Sequence, residues 1–390
     1  MNKKQSLYIF FLFSSFIYLI YVMGSLYAEG KLFFPKSYGI KIIFLELIIV
    51  IISVIVILFF MDKYSIYKKI GLFSINLHII EALLITFLII FVSALGEIIV
   101  YDHFTLSQKQ ENHFSIGIYL SESNEPINFS SEHLYNPVLT RTDISDTKAE
   151  FIADPFLIYE NNTFYMFFEV FNSITFTGDI GLAESHDGIN WTYKQIVLDE
   201  PFPLSYPCVF KYNNEYYMIP ETVATHSIRL YKAHDFPYNW SFVKTLIDGR
   251  DFVDSTIFYY NNTWWLFTET INDYSLHLYF SDSPLNIWIE HPRSPIISQD
   301  ANISRPGGNV IVDNNRIFRY TQDDYPSYGD QVWAFEITEL TKKDYKEERI
   351  SDKPILKGYD NWNELGMHQI SICKIGNKWI AAVDGKGRTL

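Results

Sequence analysis

The sequence predicts an all-β five-bladed β-propeller preceded by three transmembrane α-helices. Long apolar runs are confined to the first hundred residues, while the rest of the chain consists of short, aromatic-rich segments with period-two patterning. Hairpin patterns centred on Asn-Asn pairs recur there at intervals of roughly 50 residues, the period of a four-stranded propeller blade. The 390-residue chain therefore divides into a membrane anchor over residues 1–109 and a propeller over residues 110–390.

The predicted anchor contains three apolar runs, at about residues 7–23, 42–61 and 77–100. Each approaches or exceeds the roughly 20 residues that an α-helix needs to cross the hydrocarbon of a bilayer. With alternating topology, the excess of flanking lysines places the amino terminus on the cytoplasmic side. We therefore predict a multi-pass membrane protein, with the lipid bilayer as a partner and an extracytoplasmic propeller.

Charge and motif content exclude several function classes. Nine lysines and six acidic residues give the membrane anchor a formal charge of +3. Since the whole chain carries −14, the propeller carries −17. Such an acidic domain repels a phosphate backbone, so nucleic acid is excluded as a partner. The sequence has no zinc-spaced Cys/His set, P-loop or dinucleotide glycine pattern, so no cofactor is predicted. A structural cation in the channel is left as an alternative. Cys208 and Cys373 are predicted to be free thiols.

Three hairpins can be overlaid by their spacing, and each closes on an acidic residue. The intervals Asp154–Glu169, Tyr206–Glu221 and Asp254–Glu269 each span fifteen residues and are centred on an Asn pair. A two-residue turn at that pair places the first and last residues opposite each other. Two of these pairs bring carboxylates together, which is unfavourable unless a proton, a cation or Arg305 lies between them. The alternative is a β-bulge that breaks the register and lets one member of each pair reach solvent.

The first strand of each blade lines the channel of a propeller, so equivalent first-strand positions should form one ring. These positions, called anchor residues and distinct from the membrane anchor, are Asp154, Tyr206, Asp254, Arg305 and His368. A second layer should stand behind them, formed by Glu169, Glu221, Glu269, Asp323 and Asp384.

The chain ends after only two strands of the fifth repeat. The missing pair is predicted upstream, within residues 114–140. Ser115–Ser121 copies the third-strand pattern of Asp179–Ser185, and Leu134–Thr140 can supply the outermost strand. Docking of these strands on the last blade would close the ring and remove its exposed edges.

The predicted ring suits glycosidic chemistry. That chemistry needs one carboxylic acid with a raised pKa and a second carboxylate that activates water or attacks the anomeric carbon. Asp154 is the candidate base or nucleophile, and Glu221 or Glu269 the candidate acid. Asp254 is the candidate that tunes or orients them. The predicted substrate-binding residues are Glu169, Tyr206, Arg305, His368, Asp323 and Asp384.

Two other functions remain open: a non-catalytic module that binds a glycan for a partner glycosyltransferase, and a membrane-tethered structural propeller. Ser185–Trp191 resembles the Asp-box turn of sugar-acting propellers. That turn is generally a hairpin clasp, so a structural role is predicted for it.

Several segments carry a family resemblance, among them Phe151–Phe156, Phe164–Glu169, Glu200–Pro207, Arg305–Gly308 and Gly366–His368. They resemble the propeller domain at the N-terminal side of plant glucosamine inositolphosphorylceramide transferases, and of bacterial proteins related to family 43-like glycoside hydrolases. The resemblance covers nearly all of residues 114–385. It implies a five-bladed propeller akin to those of arabinanases and levansucrases, a glycan or glycolipid as ligand, and a first-blade acidic position at Asp154.

The sequence departs from the family pattern at two points. Asp254 is followed by Ser255 where the pattern has Asp-Pro, so the carboxylate is kept while the local backbone differs. The plant proteins carry their transferase chemistry in a separate glycosyltransferase domain that has no counterpart here. The resemblance therefore implies the fold more directly than the activity.

Overall fold

A computed structural model of the chain describes residues 113–121 and 123–387. The three predicted spans, at about residues 7–23, 42–61 and 77–100, lie outside these residues, so the membrane anchor stays a prediction. Within the described part, helix is limited to the 3-10 turns Arg141–Asp143 and Val223–Thr225. None of the helical segments described is long and apolar enough to cross a bilayer.

The described chain forms five antiparallel sheets, the five blades of the predicted propeller. It begins with β1 (His113–Ser121) and β2 (Phe129–Ser130). Blade one contains β3 (Ala149–Glu160), β4 (Thr163–Asn172), β5 (Thr177–Ser185) and β6 (Thr192–Leu198). Blade two contains β7 (Ser205–Tyr212), β8 (Glu215–Glu221), β9 (Ser227–Asp235) and β10 (Tyr238–Asp248).

Blade three contains β11 (Phe252–Tyr260), β12 (Thr263–Thr270), β13 (Ser275–Ser281) and β14 (Ile289–Glu290). Blade four contains β15 (Ile311–Asp313), β16 (Arg316–Asp323), β17 (Gln331–Leu340) and β18 (Tyr345–Arg349), with β19 (Leu356–Lys357) also paired to β17. Blade five combines β20 (Ile370–Ile375) and β21 (Lys378–Gly387) with β1 and β2, in the order β2-β1-β21-β20.

Closure of the ring by the N-terminal strands is confirmed. Strand β1 pairs with β21 from His113 opposite Gly387 to Leu120 opposite Ile380. The prediction for the outermost strand was wrong: β2 takes that place, and Leu134–Thr140 contributes a single bridge to β1 through Leu139. The Asn136 side chain explains this, because its amide bonds both the N–H and the C=O of Ile118 and so occupies the strand edge.

The hairpin registers follow the prediction near the turns and depart from it at the channel. Both residues of each Asn pair adopt positive φ, as a two-residue hairpin turn requires. A β-bulge then shifts each first strand by one residue, so that Glu169 lies opposite Ala153, Glu221 opposite Ser205, and Glu269 opposite Val253. The predicted pairings of Asp154 with Glu169 and of Asp254 with Glu269 were therefore wrong. The alternative was right about the bulge, but neither Asp254 nor Glu269 reaches solvent, since each is 1% exposed.

The anchor residues of blades one to three are themselves the bulged residues. Asp154, Tyr206 and Asp254 have φ values of 54°, 45° and 48°, in the left-handed region that L-residues enter at a cost. Pro155 and Pro207 follow the first two anchors. Since proline cannot donate to a ladder, its place within a sheet is an edge or a bulge. The same local distortion thus redirects the backbone at the channel in three successive blades.

Apolar side chains pack in five clusters, one at each interface between neighbouring blades. Phe167 and Met218 belong to the cluster between blades one and two, and Ile118 and Ile152 to the one between blades five and one. The other three clusters fill the remaining interfaces. This packing fixes the direction in which each first strand presents its anchor.

The Asp-box segment is a hairpin clasp, as its sequence suggests. Asp187 Oδ1 accepts hydrogen bonds from the backbone N–H groups of Ile189 and Asn190, and the Trp191 indole donates to Gly188 O. These bonds close the turn between β5 and β6 on itself. The segment therefore stabilises the fold and contributes no side chain to the channel.

Candidate functional site

The channel residues meet at one end of the first strands, in a cluster that we call the funnel. Seven carboxyl groups and two basic side chains form it: Asp154, Glu169, Glu221, Asp254, Glu269, Asp324 and Asp384, with Arg305 and His368. Four of the five anchor residues predicted from the hairpin spacing therefore lie together in the funnel. Tyr206 is the exception.

Arg305 connects three of the carboxylates. Its Nε donates to Asp254 Oδ2 at 2.7 Å, its Nη2 lies 3.6 Å from Glu221 Oε2, and its Nη1 lies 3.9 Å from Asp324 Oδ2. The guanidinium also lies over the ring of Tyr328, 5.3 Å from its centroid. With 13% of its side chain exposed, Arg305 is the positive charge that allows these carboxylates to lie together.

His368 links the carboxylates of blades one and five. Its Nδ1 is 2.7 Å from Asp384 Oδ1, and its Nε2 is 3.5 Å from Asp154 Oδ1. Phe114 stacks on the imidazole at a centroid distance of 4.7 Å. Burial lowers the pKa of His368, but the facing carboxylates of Asp384 and Asp154 outweigh it and raise the pKa to about 9. The ring is therefore an imidazolium at neutral pH.

Asp154 is nearly buried, with 6% of its surface exposed. Its bulged backbone N–H donates to Asp384 Oδ2, and its own Oδ2 accepts from the N–H of Tyr206. Its Oδ1 is buried without a hydrogen bond in the described part of the chain. Burial, opposed by His368 and reinforced by Asp254, raises the pKa of Asp154 to about 7. This carboxyl can exchange a proton near neutral pH.

Glu221 is the most accessible of the predicted catalytic carboxyls, with 14% of its side chain exposed. Its Oε2 has no hydrogen bond among the described residues. Burial and the charge of Asp254 raise its pKa well above the ordinary value, although Arg305 opposes them. Glu169 is also partly exposed, and burial and Asp154 likewise raise its pKa. The raised pKa favours the protonated form of both groups, the form that a general acid needs.

Glu269 differs from Glu221 in its surroundings. Only 1% of its surface is exposed, and its Oε2 accepts a hydrogen bond from the Ser304 hydroxyl. Burial raises its pKa to about 7 despite that bond. Glu269 therefore presents less surface to a substrate than Glu221 does. Of the two acids predicted from the sequence, the geometry therefore favours Glu221.

Tyr206 does not face the funnel. Its side chain is fully buried, and its hydroxyl accepts from Gly308 N at 2.8 Å and contacts Thr256 Oγ1 at 2.8 Å. Its ring lies edge-on to Phe156. The predicted substrate contact is therefore not available, because Tyr206 joins blades two, three and four beneath the funnel.

Asp323 is also directed away from the ring. Its carboxylate accepts hydrogen bonds from Asn302, Gln331 and the Trp333 indole. Successive side chains of β16 point to opposite faces, so the neighbouring Gln322 faces the funnel instead. The Gln322 amide donates to Asp254 Oδ2 and, at 2.9 Å, to Pro306 O.

The sequence reasoning missed four members of the site: Ser304, Gln322, Asp324 and Tyr328. Three of them lie at or just after the end of β16, where the sequence predicted Asp323 as the funnel residue. The period-two alternation of that strand could have placed Gln322 and Asp324 on one side and Asp323 on the other. Ser304 adjoins the anchor Arg305 and carries no separate signal.

Asp154, His368 and Asp384 could together hold a cation. One ligand atom from each lies within 4.8 Å of the other two. In the present arrangement His368 Nδ1 is engaged with Asp384. A metal at this point would have to compete with that hydrogen bond, so a structural cation in the channel remains an open expectation.

The fold and the funnel define a class: a five-bladed propeller with an acidic site at its channel mouth. Residues 107–386 match the family described as "Glucosamine inositolphosphorylceramide transferase 1, N-terminal", and the chain belongs to that family. Glucosamine inositolphosphorylceramide transferase 1 of Oryza sativa subsp. indica is 36% identical over 299 residues, covering 70% of this chain. The Arabidopsis thaliana protein of that name is 33% identical over 263 residues, or 64% of this chain.

The chain spans 40% and 34% of the length of these two relatives. Among solved structures, a glycosyl hydrolase from Bacteroides ovatus superposes with a TM-score of 0.49 at 12% identity, over 64% of this chain and 91% of that one. The assignment of five blades rests on the strand pairing of this chain and not on that superposition.

Proposed function

We propose that the propeller is a carbohydrate-active domain that cleaves or transfers a glycosyl unit of a glycolipid headgroup, with the funnel as its active site. The observation that carries the proposal is a pair of buried carboxyl oxygens in one funnel, Asp154 Oδ1 and Glu221 Oε2, that accept no hydrogen bond from the described residues. Each faces a cation at a longer distance, His368 at 3.5 Å and Arg305 at 3.6 Å. Glycosidic bond cleavage needs one protonated carboxyl and one ionised carboxylate. The pKa of Glu221 is raised well above its ordinary value, whereas that of Asp154 is raised to about 7 and His368 favours its charged form, so the two can take these different roles.

Each carboxyl then has a separate role. Glu221 donates its proton to the glycosidic oxygen as the bond to the anomeric carbon breaks, and the leaving group departs as an alcohol. Asp154 either takes a proton from the attacking water or attacks the anomeric carbon itself. His368 and Asp384 position Asp154 through the contacts described above. Asp254, bound by Arg305 and Gln322, orients Glu221 and raises its pKa.

The ligand class follows from the relatives and from charge. The relatives are named for glucosamine and inositolphosphorylceramide, so a headgroup containing such units is the natural candidate. The excess of carboxyls over basic groups in the funnel disfavours an anionic sugar there. Anchoring of residues 1–109 in the bilayer would hold the propeller close to a lipid substrate and is part of the same proposal.

One observation favours a second function, non-catalytic glycan binding for a partner glycosyltransferase. Arg305 contacts both Asp254 and Glu221, and a persistent ion pair would keep Glu221 from donating a proton. At 3.6 Å, the contact with Glu221 is longer than a charge-assisted hydrogen bond. We therefore place the catalytic function first.

Glycan-array binding and turnover, measured on wild type and Asp154→Asn, distinguish the two. The catalytic proposal expects turnover by wild type, and retained binding with turnover reduced at least a hundredfold in the variant. Binding without turnover in wild type would establish the binding module instead. Turnover that is unchanged in Asp154→Asn would remove Asp154 from the mechanism.

A further inference from the structure

A second cavity lies beside the funnel, between blades two and three. It has a volume of about 510 Å³, and its lining includes His226, Arg250, Asp251, Asn272 and His277. That volume is within the range of small-ligand sites. None of the residues proposed for the reaction lines it.

The cavity opens at the same end of the strands as the funnel. Asp251 precedes Asp254 by three residues, a separation of at most about 10 Å along the chain. Thr270, also part of the lining, follows Glu269 directly. His226 belongs to the turn that follows Glu221. Three lining residues thus lie within a few residues of the funnel carboxyls Glu221, Asp254 and Glu269 along the chain.

The cavity wall is held in place by polar contacts within each blade and by one contact between the two blades. Asp251 accepts from Asn272 Nδ2 at 2.8 Å and pairs with the imidazole of His226. The N–H of Gly249 donates to the carbonyl of His226 at 2.9 Å, which ties the connection after β10 to the turn of blade two. The site is therefore pre-formed.

The floor of the cavity is a second polar network. Arg250 binds Glu290 through both terminal nitrogens, at 3.1 and 3.3 Å. His277, nearly buried, lies between Glu290 Oε1 at 2.8 Å and Thr270 Oγ1 at 3.2 Å. Because Glu290 neutralises Arg250, the cavity offers no free positive charge to a phosphate or carboxylate.

The chemistry of the lining points to one class of ligand. It combines amide, guanidinium and imidazole donors with carboxylate acceptors and has no large apolar side chain. An apolar ligand would remove these polar groups from water without offering them a hydrogen bond, and an anion would face Asp251 and Asp273. A neutral ring bearing many hydroxyls satisfies both kinds of group.

We propose that this cavity is an accessory subsite that binds a second, neutral polyhydroxylated ring of the ligand whose first sugar occupies the funnel. The inference rests on the proposed carbohydrate function and adds to it the minimum size of the ligand. It assigns Asn272 and Asp251 as specificity determinants, since they present a donor and an acceptor side by side on the wall.

The test compares the affinities of glucosamine and glucosaminyl-inositol for the full chain, by calorimetry, in wild type and Asn272→Ala. Asn272 is exposed, and its described side-chain bond is to Asp251, so its removal leaves the fold intact. Asn286→Ala is the matched control, an exposed Asn in the turn after β13 at the opposite end of the blade.

The subsite predicts that glucosaminyl-inositol binds more tightly than glucosamine. Asn272→Ala should lower the affinity for glucosaminyl-inositol by about threefold to tenfold, the contribution of one or two neutral hydrogen bonds. The affinity for glucosamine should not change. Equal affinities, or no effect of Asn272→Ala on either probe, would overturn the subsite while the funnel proposal stands. Failure of both probes to bind would count against the proposed function, and the subsite would fall with it.

Discussion

Arg305 Nε lies 2.7 Å from Asp254 Oδ2, so the fourth blade supplies the counter-charge for an acidic residue of the third. The same guanidinium is 3.6 Å from Glu221 of the second blade. A single side chain thus holds together carboxylates that come from different repeats. Both the stability of the funnel and its protonation depend on this contact.

Replacement of Arg305 by Ala should destabilise the propeller. The change leaves Asp254 as a buried carboxylate without its cation, a loss that typically costs about 3 to 5 kcal/mol. Arg316→Ala is the control, because the ion pairs of Arg316 with Glu125 and Glu336 are largely exposed and worth about 1 kcal/mol or less. Unfolding followed by tryptophan fluorescence measures both. Equal losses in the two variants would contradict the central role of Arg305.

Replacement of Glu221 by Gln should reduce turnover to a degree that depends on the leaving group of the substrate. The amide cannot donate the proton, so turnover of an aryl glycoside with a poor leaving group should fall by about a hundredfold or more. An activated aryl glycoside needs little protonation and should lose much less. Glu269→Gln should not show this difference. A uniform loss across leaving groups in Glu221→Gln would contradict its assignment as the acid.

The free energy of unfolding should fall as the pH rises from about 5 to 9. The pKa of Glu269 is raised from 4.5 to about 7 and that of His368 from 6.5 to about 9, so the folded state binds both protons more tightly than the unfolded state. Stability from such groups is present below the unfolded pKa and is lost as the pH passes the folded pKa.

Glu269→Gln isolates part of this dependence. The variant should flatten the decline between about pH 4.5 and 7 and should be more stable than wild type at pH 8, by on the order of 2 kcal/mol. Urea unfolding at pH 5 and pH 8 checks the sign. A wild type that becomes more stable toward pH 8 would contradict the assignment of these protonation states.

Replacement of Tyr206 by Phe tests the corrected role of that residue. The change leaves the buried N–H of Gly308 without its acceptor, which should cost about 1 to 3 kcal/mol of stability. Ligand affinity should not change, since the side chain is not exposed. Tyr325→Phe, at an exposed position, should leave stability unchanged. A loss of affinity without a loss of stability in Tyr206→Phe would restore the substrate contact predicted from the sequence.

The predictable part of the fold was local. Asn161-Asn162 and its counterparts determine two-residue turns, so the hairpins and their registers near the turns follow directly from the sequence. Ring closure by β1 could be predicted because its sequence pattern matches that of β5. Strands with the same pattern are expected to occupy the same position in their blades. Asp154, Asp254, Arg305 and His368 were found for the same reason, as equivalent first-strand positions of successive repeats.

The bulges and their consequences were harder to predict. A shift of one residue changes which side chain faces the channel, and the shift at Asp154 depends on how the strand packs at the channel mouth as well as on Pro155. The burial of Tyr206 and the outward direction of Asp323 depend on contacts with other blades. Spacing along the sequence contains no record of those contacts.

The most direct test of the account is chemical rescue of Asp154→Ala in the full chain, with azide as the added nucleophile. If Asp154 acts at the anomeric carbon or on the water that attacks it, turnover of an activated aryl glycoside should be lost. Azide should then enter the space left by the carboxylate, restore turnover and give a glycosyl azide product. Turnover by Asp154→Ala at the wild-type rate without azide would contradict the claim that the funnel is an acid–base catalytic site.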